Sequence, residues 1–251
     1  MKFRLTAALL IFSTATLFAI PTAAETDFAA GCKSGNLEDC ENLAILSLAS
    51  GKSPQDFARA ADLFRQACDG GRPSACHNLG ALYATGKGVD HDLAKALELY
   101  NLSCESGFVG GCSSAGFLYS RADSPLKDAD AAHAALSKAC LGDDAEGCGG
   151  LGLLHQQGIG VPVDLERAQT HYAKACEMAA SKWCFAEAVM LLQSNFDDER
   201  IVPLTQRACD ANLPDACYML GNMLIIREKP GAKVAYAKAC ELGHQDACKL
   251  M

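Results

Sequence analysis

Apolar residues recur at helical spacing along the chain, in blocks separated by short polar or glycine-rich turns. In the block at 74–85, SACHNLGALYAT, apolar side chains return every three or four positions. The turn GKGVD follows, and the block at 92–105, DLAKALELYNLSCE, has the same period. This spacing predicts amphipathic helices. The pattern predicts pairs of helices, A then B, at 36–50/54–69, 73–85/91–105, 109–121/127–141, 145–157/164–177, 182–193/198–210 and 214–226/231–241, with a short helix before Cys40 and a capping helix at 244–250.

Cysteines divide this helical pattern into units of nearly constant length. The chain has 14 cysteines in seven C-x7-C pairs, of which the first five begin 36 residues apart, while the last two steps are 33 and 31 residues. A fixed period of this size is typical of a solenoid. We therefore predict an all-α solenoid of helix-turn-helix repeats. The pairs are Cys32/Cys40, Cys68/Cys76, Cys104/Cys112, Cys140/Cys148, Cys176/Cys184, Cys209/Cys217 and Cys240/Cys248.

The cysteine spacing requires the chain to reverse direction within each pair. On one continuous helix, cysteines eight positions apart would be separated by about 12 Å, whereas a disulfide needs Cα atoms within about 7 Å. The third residue after the first cysteine is Gly or Asn in five of seven pairs, and these residues favour the left-handed conformation that ends a helix. Asp143 and Ala179 depart from that pattern. We predict that each pair forms a disulfide between the end of one helix and the start of the next.

The second cysteine of each pair also serves as a reference for packing positions. Six copies have a large apolar residue six places after it and Ala or Gly four places after it. We expect the large side chains to fill the space between helices A and B, and the small ones to let helix B approach. The large residues are Leu46, Leu82, Leu118, Leu154, Met190 and Met223, the small ones are Ala44, Gly80, Gly116, Gly152, Ala188 and Gly221, and the helix-B aromatics assigned to packing are Phe64, Tyr100, Tyr172 and Tyr236.

The first 24 residues are typical of a secretory signal peptide. A basic start at positions 2 and 4 precedes an uncharged, mostly apolar stretch at 5–20 and small residues at 22–24, which predicts cleavage before Glu25. A membrane anchor is the alternative, but the segment is short for a spanning helix. No cysteine directly follows the cleavage position, so a bacterial lipid anchor is not expected. The predicted organisation is a signal peptide at 1–24 and one repeat solenoid at 25–251.

Charge and cysteine content narrow the classes of partner and compartment. Without residues 1–24 the chain has 20 basic and 30 acidic residues, a net charge of −10. An acidic surface argues against nucleic acid or anionic lipid as the main partner. We expect neither nucleic-acid binding nor a stable membrane anchor. An even number of cysteines in an exported chain indicates disulfides and a secreted or periplasmic location.

The repeated residues resemble a known family. The pattern A-C-x2-G-x3-A-C-x2-L-G-x-L-Y-x2-G-x-G-V, matched by Cys68 to Val89 and in its second half by Cys140 to Val161, resembles the Sel-like repeat, a relative of the tetratricopeptide repeat. With a cysteine pair in every repeat, the chain resembles the secreted Helicobacter cysteine-rich proteins. The resemblance implies an interaction scaffold. It also implies an alternative, because members of the cysteine-rich group are described as penicillin-binding proteins with slow β-lactamase activity.

Sequence motifs give little support for catalysis. Serine β-lactamases carry S-x-x-K, S-D-N and K-T-G motifs, and here Ser124 to Lys127 is the single S-x-x-K, without the other two. We expect this segment to be a turn in which Pro125 starts a helix. Catalytic residues are therefore unassigned, and the β-lactamase alternative rests on the resemblance alone.

No metal or cofactor is expected from the sequence. H-E-x-x-H and C-x-x-C are absent, and C-x7-C does not match zinc-site spacing. The six histidines share no repeat position, which favours ordinary surface or packing roles. They are His77, His91, His133, His155, His171 and His244.

The tetratricopeptide resemblance implies a concave groove lined by the A helices. Groove residues are expected one, five and eight places after the second cysteine of each pair. The mixed apolar and polar composition there suits an extended peptide or protein segment. The alternative is that the aromatic residues Phe117, Phe185 and Tyr218 only fill space between repeats. The candidate partner-binding residues are His77, Phe117, Gln156, Phe185, Tyr218 and Asn222.

Three functional hypotheses follow. The first is an exported, disulfide-bridged scaffold that binds a peptide or protein partner in its groove. The second is a slow hydrolase that acts on a β-lactam or a cell-wall fragment. The third, a periplasmic chaperone or assembly factor, would use the same surface as the first.

Overall fold

Helices account for all regular secondary structure in the residues described by the computed structural model, which are 23–51, 53–178 and 182–250. They begin and end within three residues of the predicted bounds, and the predicted all-α class is confirmed. The helices are α1 (Ala23–Lys33), α2 (Leu37–Ser50), α3 (Pro54–Asp69), α4 (Pro73–Thr85), α5 (Leu93–Glu105), α6 (Val109–Ser120), α7 (Ala129–Leu141), α8 (Ala145–Gln157), α9 (Leu165–Met178), α10 (Lys182–Ser194), α11 (Ile201–Asp210), α12 (Pro214–Ile226), α13 (Ala232–Glu241) and α14 (Gln245–Cys248).

Within the described residues, six A helices and six B helices alternate. The A helices are the even-numbered α2 to α12, and each packs on the B helix that follows it. Consecutive repeats meet where a B helix packs on the next A helix, as α7 does on α8. The short α14 closes the array.

The predicted signal peptide lies almost entirely outside the described residues. Residues 1–22 are not described, and residues 23 and 24 open α1, so the expected cleavage before Glu25 falls within the first turn of that helix. In the part of the chain that the structure covers, no helix combines the length and the apolar character needed to cross a membrane.

Disulfides join consecutive helices at the positions that the sequence pattern predicts, and all 14 cysteines lie within the described ranges. Each C-x7-C pair forms one bridge, with Cα atoms 4.4–4.8 Å apart, and no cysteine is left free. The predicted pairing is confirmed. Seven disulfides indicate an oxidising, extracytoplasmic environment. The bridges are Cys32–Cys40, Cys68–Cys76, Cys104–Cys112, Cys140–Cys148, Cys176–Cys184, Cys209–Cys217 and Cys240–Cys248.

The two cysteines of each bridge occupy different places in the helices that they join. The first lies in the last turn of a B-type helix, and the second is the third or fourth residue of the next A-type helix. The second cysteines of the first six pairs are buried in the core, with at most 2% of each residue exposed. The sequence analysis assigned these cysteines to disulfides, and their burial agrees with that structural role. They are Cys40, Cys76, Cys112, Cys148, Cys184 and Cys217.

The turn between bridged cysteines has the same left-handed backbone conformation in a pair with glycine and in a pair where Asp takes its place. Gly71 has φ +93°, and Asp143, which departs from the sequence pattern, has φ +57°. The Arg72 N–H donates to the Ala67 carbonyl at 3.0 Å, the 6→1 bond of a Schellman motif. Asp is among the few residues with a side chain that tolerate this region. The other departure, Ala179, lies outside the described residues.

Small residues on the A helices let helix-B aromatics lie close to the A-helix backbone. A Cβ atom added at Gly152 would lie 2.6 Å from the ring of Tyr172, and one at Gly221 would lie 2.5 Å from Tyr236. Both rings are buried. The predicted packing role of the helix-B aromatics is confirmed.

A basic residue on the B helices adds a contact between repeats that the sequence analysis did not identify. Lys138 and Lys174 each donate from Nζ to the carbonyl of the first cysteine one repeat earlier, at 3.0 and 3.1 Å. Arg207 makes the equivalent bond to Cys176 at 2.8 Å. Cations at a helix C-terminus also interact favourably with its dipole.

Candidate functional site

The residue immediately after the second cysteine contacts the following repeat. Glu41 accepts a charge-assisted hydrogen bond from Arg72 Nε at 2.6 Å, and Arg72 is the N-cap residue of α4. Ser113 donates to the carboxylate of Asp144, the N-cap residue of α8. Both Glu41 and Ser113 are buried. We call this position, the fourth or fifth residue of each A helix, the joint position: Glu41, His77, Ser113, Gly149, Phe185 and Tyr218.

Aromatic contacts occupy the joint position in other repeats. The His77 ring lies 5.3 Å from that of Phe108. The Tyr218 ring stacks on His244 with centroids 4.2 Å apart. A Cβ atom at Gly149 would lie 2.1 Å from the ring of Trp183. These contacts connect neighbouring repeats.

The prediction that the joint position faces an open groove is wrong for the three buried members, Glu41, Ser113 and Gly149. His77, Phe185 and Tyr218 are half-buried. Phe185 packs against the core shared by α10, α11 and α12. The alternative, that aromatic residues here fill space between repeats, agrees with the packing of Phe185 and Tyr218. Partner binding by His77, Phe185 and Tyr218 stays a prediction.

The bridged cysteines that precede the joint positions contribute nothing to a binding surface. Cys76 and Cys148, for example, lie within the apolar cores of their repeats, beside Leu79 and Leu151. Because each sulfur is already bonded to a partner sulfur, these residues offer no thiolate for catalysis or metal binding. The same holds for the remaining buried second cysteines, Cys40, Cys112, Cys184 and Cys217.

Eight of the twelve residues that lie five or eight places after a second cysteine line surface cavities between consecutive A helices. We call them the cavity positions. A cavity of about 480 Å³ is lined by Leu48 of α2 and Ala81 of α4, and one of about 360 Å³ by Ala84 of α4 and Phe117 and Ser120 of α6. A third cavity, of about 340 Å³, is lined by Leu192, Asn222 and Ile225.

Two candidate amides are held by tyrosines of their own repeats. Gln156 Oε1 accepts from the Tyr172 hydroxyl at 2.7 Å, and Asn222 Oδ1 accepts from the Tyr236 hydroxyl at 2.8 Å. These bonds fix the amides at the A-helix surface. Burial raises the pKa of Tyr172 to about 12, so the phenol remains a hydrogen-bond donor over the physiological pH range.

The Ser124–Lys127 motif forms a turn. Ser124 is buried, and its Oγ accepts from the Leu126 N–H at 3.1 Å. The prediction that Pro125 starts a helix is wrong, because α7 begins at Ala129 with Asp128 as its N-cap. The serine side chain is used within its own turn.

Three of the six histidines come together although the sequence offered no common role for them. His133, His155 and His171 lie on consecutive helices α7, α8 and α9. In the ranges 23–51, 53–178 and 182–250, no three His, Cys, Asp or Glu side chains are placed to hold a metal ion. One feature of the sequence could have indicated this cluster. His155 lies seven places after the second cysteine, where other repeats have Ser, Tyr or Leu.

Comparison with known proteins agrees with this architecture. The family model for the Sel1 repeat matches residues 39–71, 73–108, 145–179 and 214–227. The chain carries Sel1 repeats. The matched Sel1 repeats cover just under half of the chain, and α6–α7 lie between them with the same bridge and the same turn.

Solved structures show the same fold. A Sel1 repeat protein from Oxalobacter formigenes is 18% identical, with a TM-score of 0.70, over 90% of this chain and 100% of that one. A protective antigen of uropathogenic Escherichia coli with an SLR fold is 22% identical, with a TM-score of 0.63, over 89% of this chain. The chain spans about half the length of that antigen, 50%. No curated protein matches the sequence.

The Helicobacter pylori cysteine rich protein B is also matched. It is 19% identical over 64% of this chain and 96% of that chain, with a TM-score of 0.31. The Sel1 repeats and the seven disulfides together define a disulfide-rich scaffold of the kind that mediates protein interactions.

Proposed function

We propose that this Sel1 repeat chain is an exported scaffold, secreted or periplasmic after removal of residues 1–24, that binds an extended peptide or protein segment along its A helices. The observation that carries the proposal is the set of cavities between consecutive A helices. The proposed binding requires no metal or cofactor.

The spacing of the cavities supports an extended ligand. The cavity between α2 and α4 and the cavity between α4 and α6 occupy equivalent places in neighbouring repeats, so a segment that follows the A helices would meet them in turn. Their linings combine apolar atoms with polar side chains such as Asn78 and Ser120. Binding sites of this kind take side chains into apolar pockets and fix the ligand through a few polar contacts.

The C-terminal cavity supports an apolar anchor. Ile225 is 58% exposed and Ile226 is 53% exposed, and both line this cavity with Met219. Exposed apolar side chains grouped around a cavity are typical of interaction sites. A partner side chain there would be covered by Leu192 and Tyr236.

The test is selection of peptides from a random library on the wild-type protein, followed by affinity measurement on variants. Ile225→Glu places a charge in the C-terminal cavity, and Ala84→Arg fills the one between α4 and α6. We expect selected peptides to lose at least about tenfold in affinity for one or both variants, because loss of an anchor commonly costs more than about 2 kcal/mol.

The matched control is Lys95→Glu on α5. Lys95 is paired with Glu98 on an exposed helix-B face, and we expect this variant to bind with wild-type affinity. Circular dichroism should show the same helicity for all variants. Selected peptides that bind both cavity variants with wild-type affinity would contradict the proposal. So would peptides that lose affinity for Lys95→Glu.

A further inference from the structure

Three histidine rings from consecutive helices come together where the third and fourth repeats meet. The His155 and His171 rings are nearly parallel, with centroids 5.5 Å apart and planes at 7°. His133 meets His155 edge-on at 6.1 Å. The cluster therefore connects the B helix of the third repeat to both helices of the fourth.

His155 is the buried centre of this cluster. Its side chain is 5% exposed, and its Nδ1 has no hydrogen-bond partner among the residues that the structure describes. A buried imidazole without a hydrogen-bond partner at Nδ1 is more stable as the neutral form than as the cation. Its protonation would place a buried charge next to two other rings that can also become cations.

The aligned positions of the other repeats show what the fold normally uses here. The residue seven places after the second cysteine is uncharged in the other five copies, and only the fourth repeat has a side chain that titrates between pH 5 and 8. The aligned residues are Ser47, Tyr83, Tyr119, His155, Leu191 and Leu224.

The charged groups around the cluster are mostly cationic. Arg167 and Lys174 of α9 act on the histidines from one side, and Asp164, the residue before α9, partly opposes them at His155. From α6 the neighbouring titratable group is the phenol of Tyr119, and α10 reaches the same core with Trp183 and Met190, which do not titrate.

Burial lowers the pKa of His155, and the positive charges of Arg167 and His133 lower it further. Burial also lowers the pKa of His171, with added repulsion from His155, His133, Lys174 and Arg167. A cavity of about 390 Å³ lined by His171, Lys174 and Leu141 lies beside the cluster.

We propose that the His133–His155–His171 cluster is an acid-sensitive contact, which holds the third and fourth repeats together while its rings are neutral and loosens them when the surroundings become mildly acidic. The cationic side chains around the rings, and the absence of a buried partner for His155 Nδ1 within the described residues, make the protonated state poorly accommodated. The loosening would be local, because a repeat in a solenoid contacts only its neighbours.

The sign of the change in stability with pH follows from the number of protons bound by the folded and the unfolded chain. The folded-state pKa of His155 and of His171 lies below the unfolded value of about 6.5. The unfolded chain therefore binds more protons as the pH falls through about 6.5. The stabilisation is fully present above that value and is lost as the pH falls toward the folded-state pKa.

The experiment compares thermal unfolding at pH 7.5 and pH 5.0 for wild type, His155→Leu and His91→Gln. Leu occupies the aligned positions 191 and 224, so it suits the site, and His91 is exposed and serves as the control. We expect the acid-induced drop in Tm to be smaller in His155→Leu by at least about 3 °C. His91→Gln should keep the wild-type drop. An equal drop in all three proteins would overturn the proposal.

A second measurement does not depend on the stability of a variant. NMR titration of the wild-type histidine ring protons should show pKa values below about 6.5 for His155 and His171, and also for His77, whose pKa burial lowers outside the cluster. The signals are assigned with single histidine substitutions, and the test concerns His155 and His171. Acid titration of these two rings should coincide with faster amide exchange in α8 and α9. Ordinary titration of all six histidines, without local exchange, would overturn the proposal.

Discussion

The joint positions and the cavity positions lie on the same A helices, four and seven residues apart, and they have different surroundings. At the joint, Ser113 bonds to the N-cap residue of the next A helix, whereas Ser120 of the same helix lines a cavity and bonds to the Phe117 carbonyl of its own helix. The difference arises because the residue after the second cysteine meets the next repeat, whereas residues four and seven places later on the helix border cavities at the surface.

This comparison separates two consequences of substitution. A change at a joint position alters the contact between repeats and should appear as a loss of stability. A change at a cavity position should leave stability nearly unchanged and affect partner binding.

The largest effect is expected for Gly149→Ala. The added Cβ atom would lie 2.1 Å from the Trp183 ring, which is 3% exposed and stacked on Tyr172 at 5.8 Å. The ring has little room to move, so we expect a loss of about 2–3 kcal/mol in the free energy of unfolding, measured by urea denaturation. Ser120→Ala at a cavity position should change it by less than about 0.5 kcal/mol. Equal losses of stability for Gly149→Ala and Ser120→Ala would show that joint and cavity positions do not differ in their contribution to stability.

The helices, the turns and the bridges were predictable because each has a local cause. Apolar periodicity marks the helices, and the glycine or asparagine three places after a cysteine marks the reversal. The left-handed turn at Asp143 was not predicted, because Asp occurs in this conformation without requiring it. The repeat period shortens to 33 and 31 residues before the last two cysteine pairs, and these pairs form the same kind of bridge as the others.

The joints were not predictable because their chemistry changes from repeat to repeat. Glu41 meets a guanidinium, Ser113 a carboxylate and Gly149 an indole ring. No residue type recurs there, so the position looks as variable as a solvent-exposed one. The partner is also about 31 to 34 residues away, and only the packing of consecutive A helices shows that the two meet.

An intermediate effect is expected for Arg72→Ala. Arg72 is the partner of Glu41, whose side chain is 7% exposed, and its removal leaves a buried carboxylate without that bond. We expect a loss of about 1–2 kcal/mol in the free energy of unfolding. Arg121 is the matched control, because it lines a cavity and pairs with the exposed Asp123.

Exposed ion pairs contribute little, and Arg121→Ala should cost less than about 1 kcal/mol. The measurement is again urea denaturation, at low and at high salt. A larger loss for Arg121→Ala than for Arg72→Ala would mean that the cavity surface, and not the joint, holds the repeats together.

The smallest effect is expected for Ser113→Ala, at about 1 kcal/mol, the usual net contribution of one hydrogen bond. Asp144 retains its bond to the Gly147 N–H at 2.7 Å and so continues to cap α8. A double-mutant cycle with Asp144→Ala isolates the contact between the repeats from the cap. Ser113→Ala should cost clearly less in the Asp144→Ala background, whereas Ser120→Ala should cost the same in both. Additive losses for Ser113 and Asp144 would show that this hydrogen bond does not couple the third repeat to the fourth.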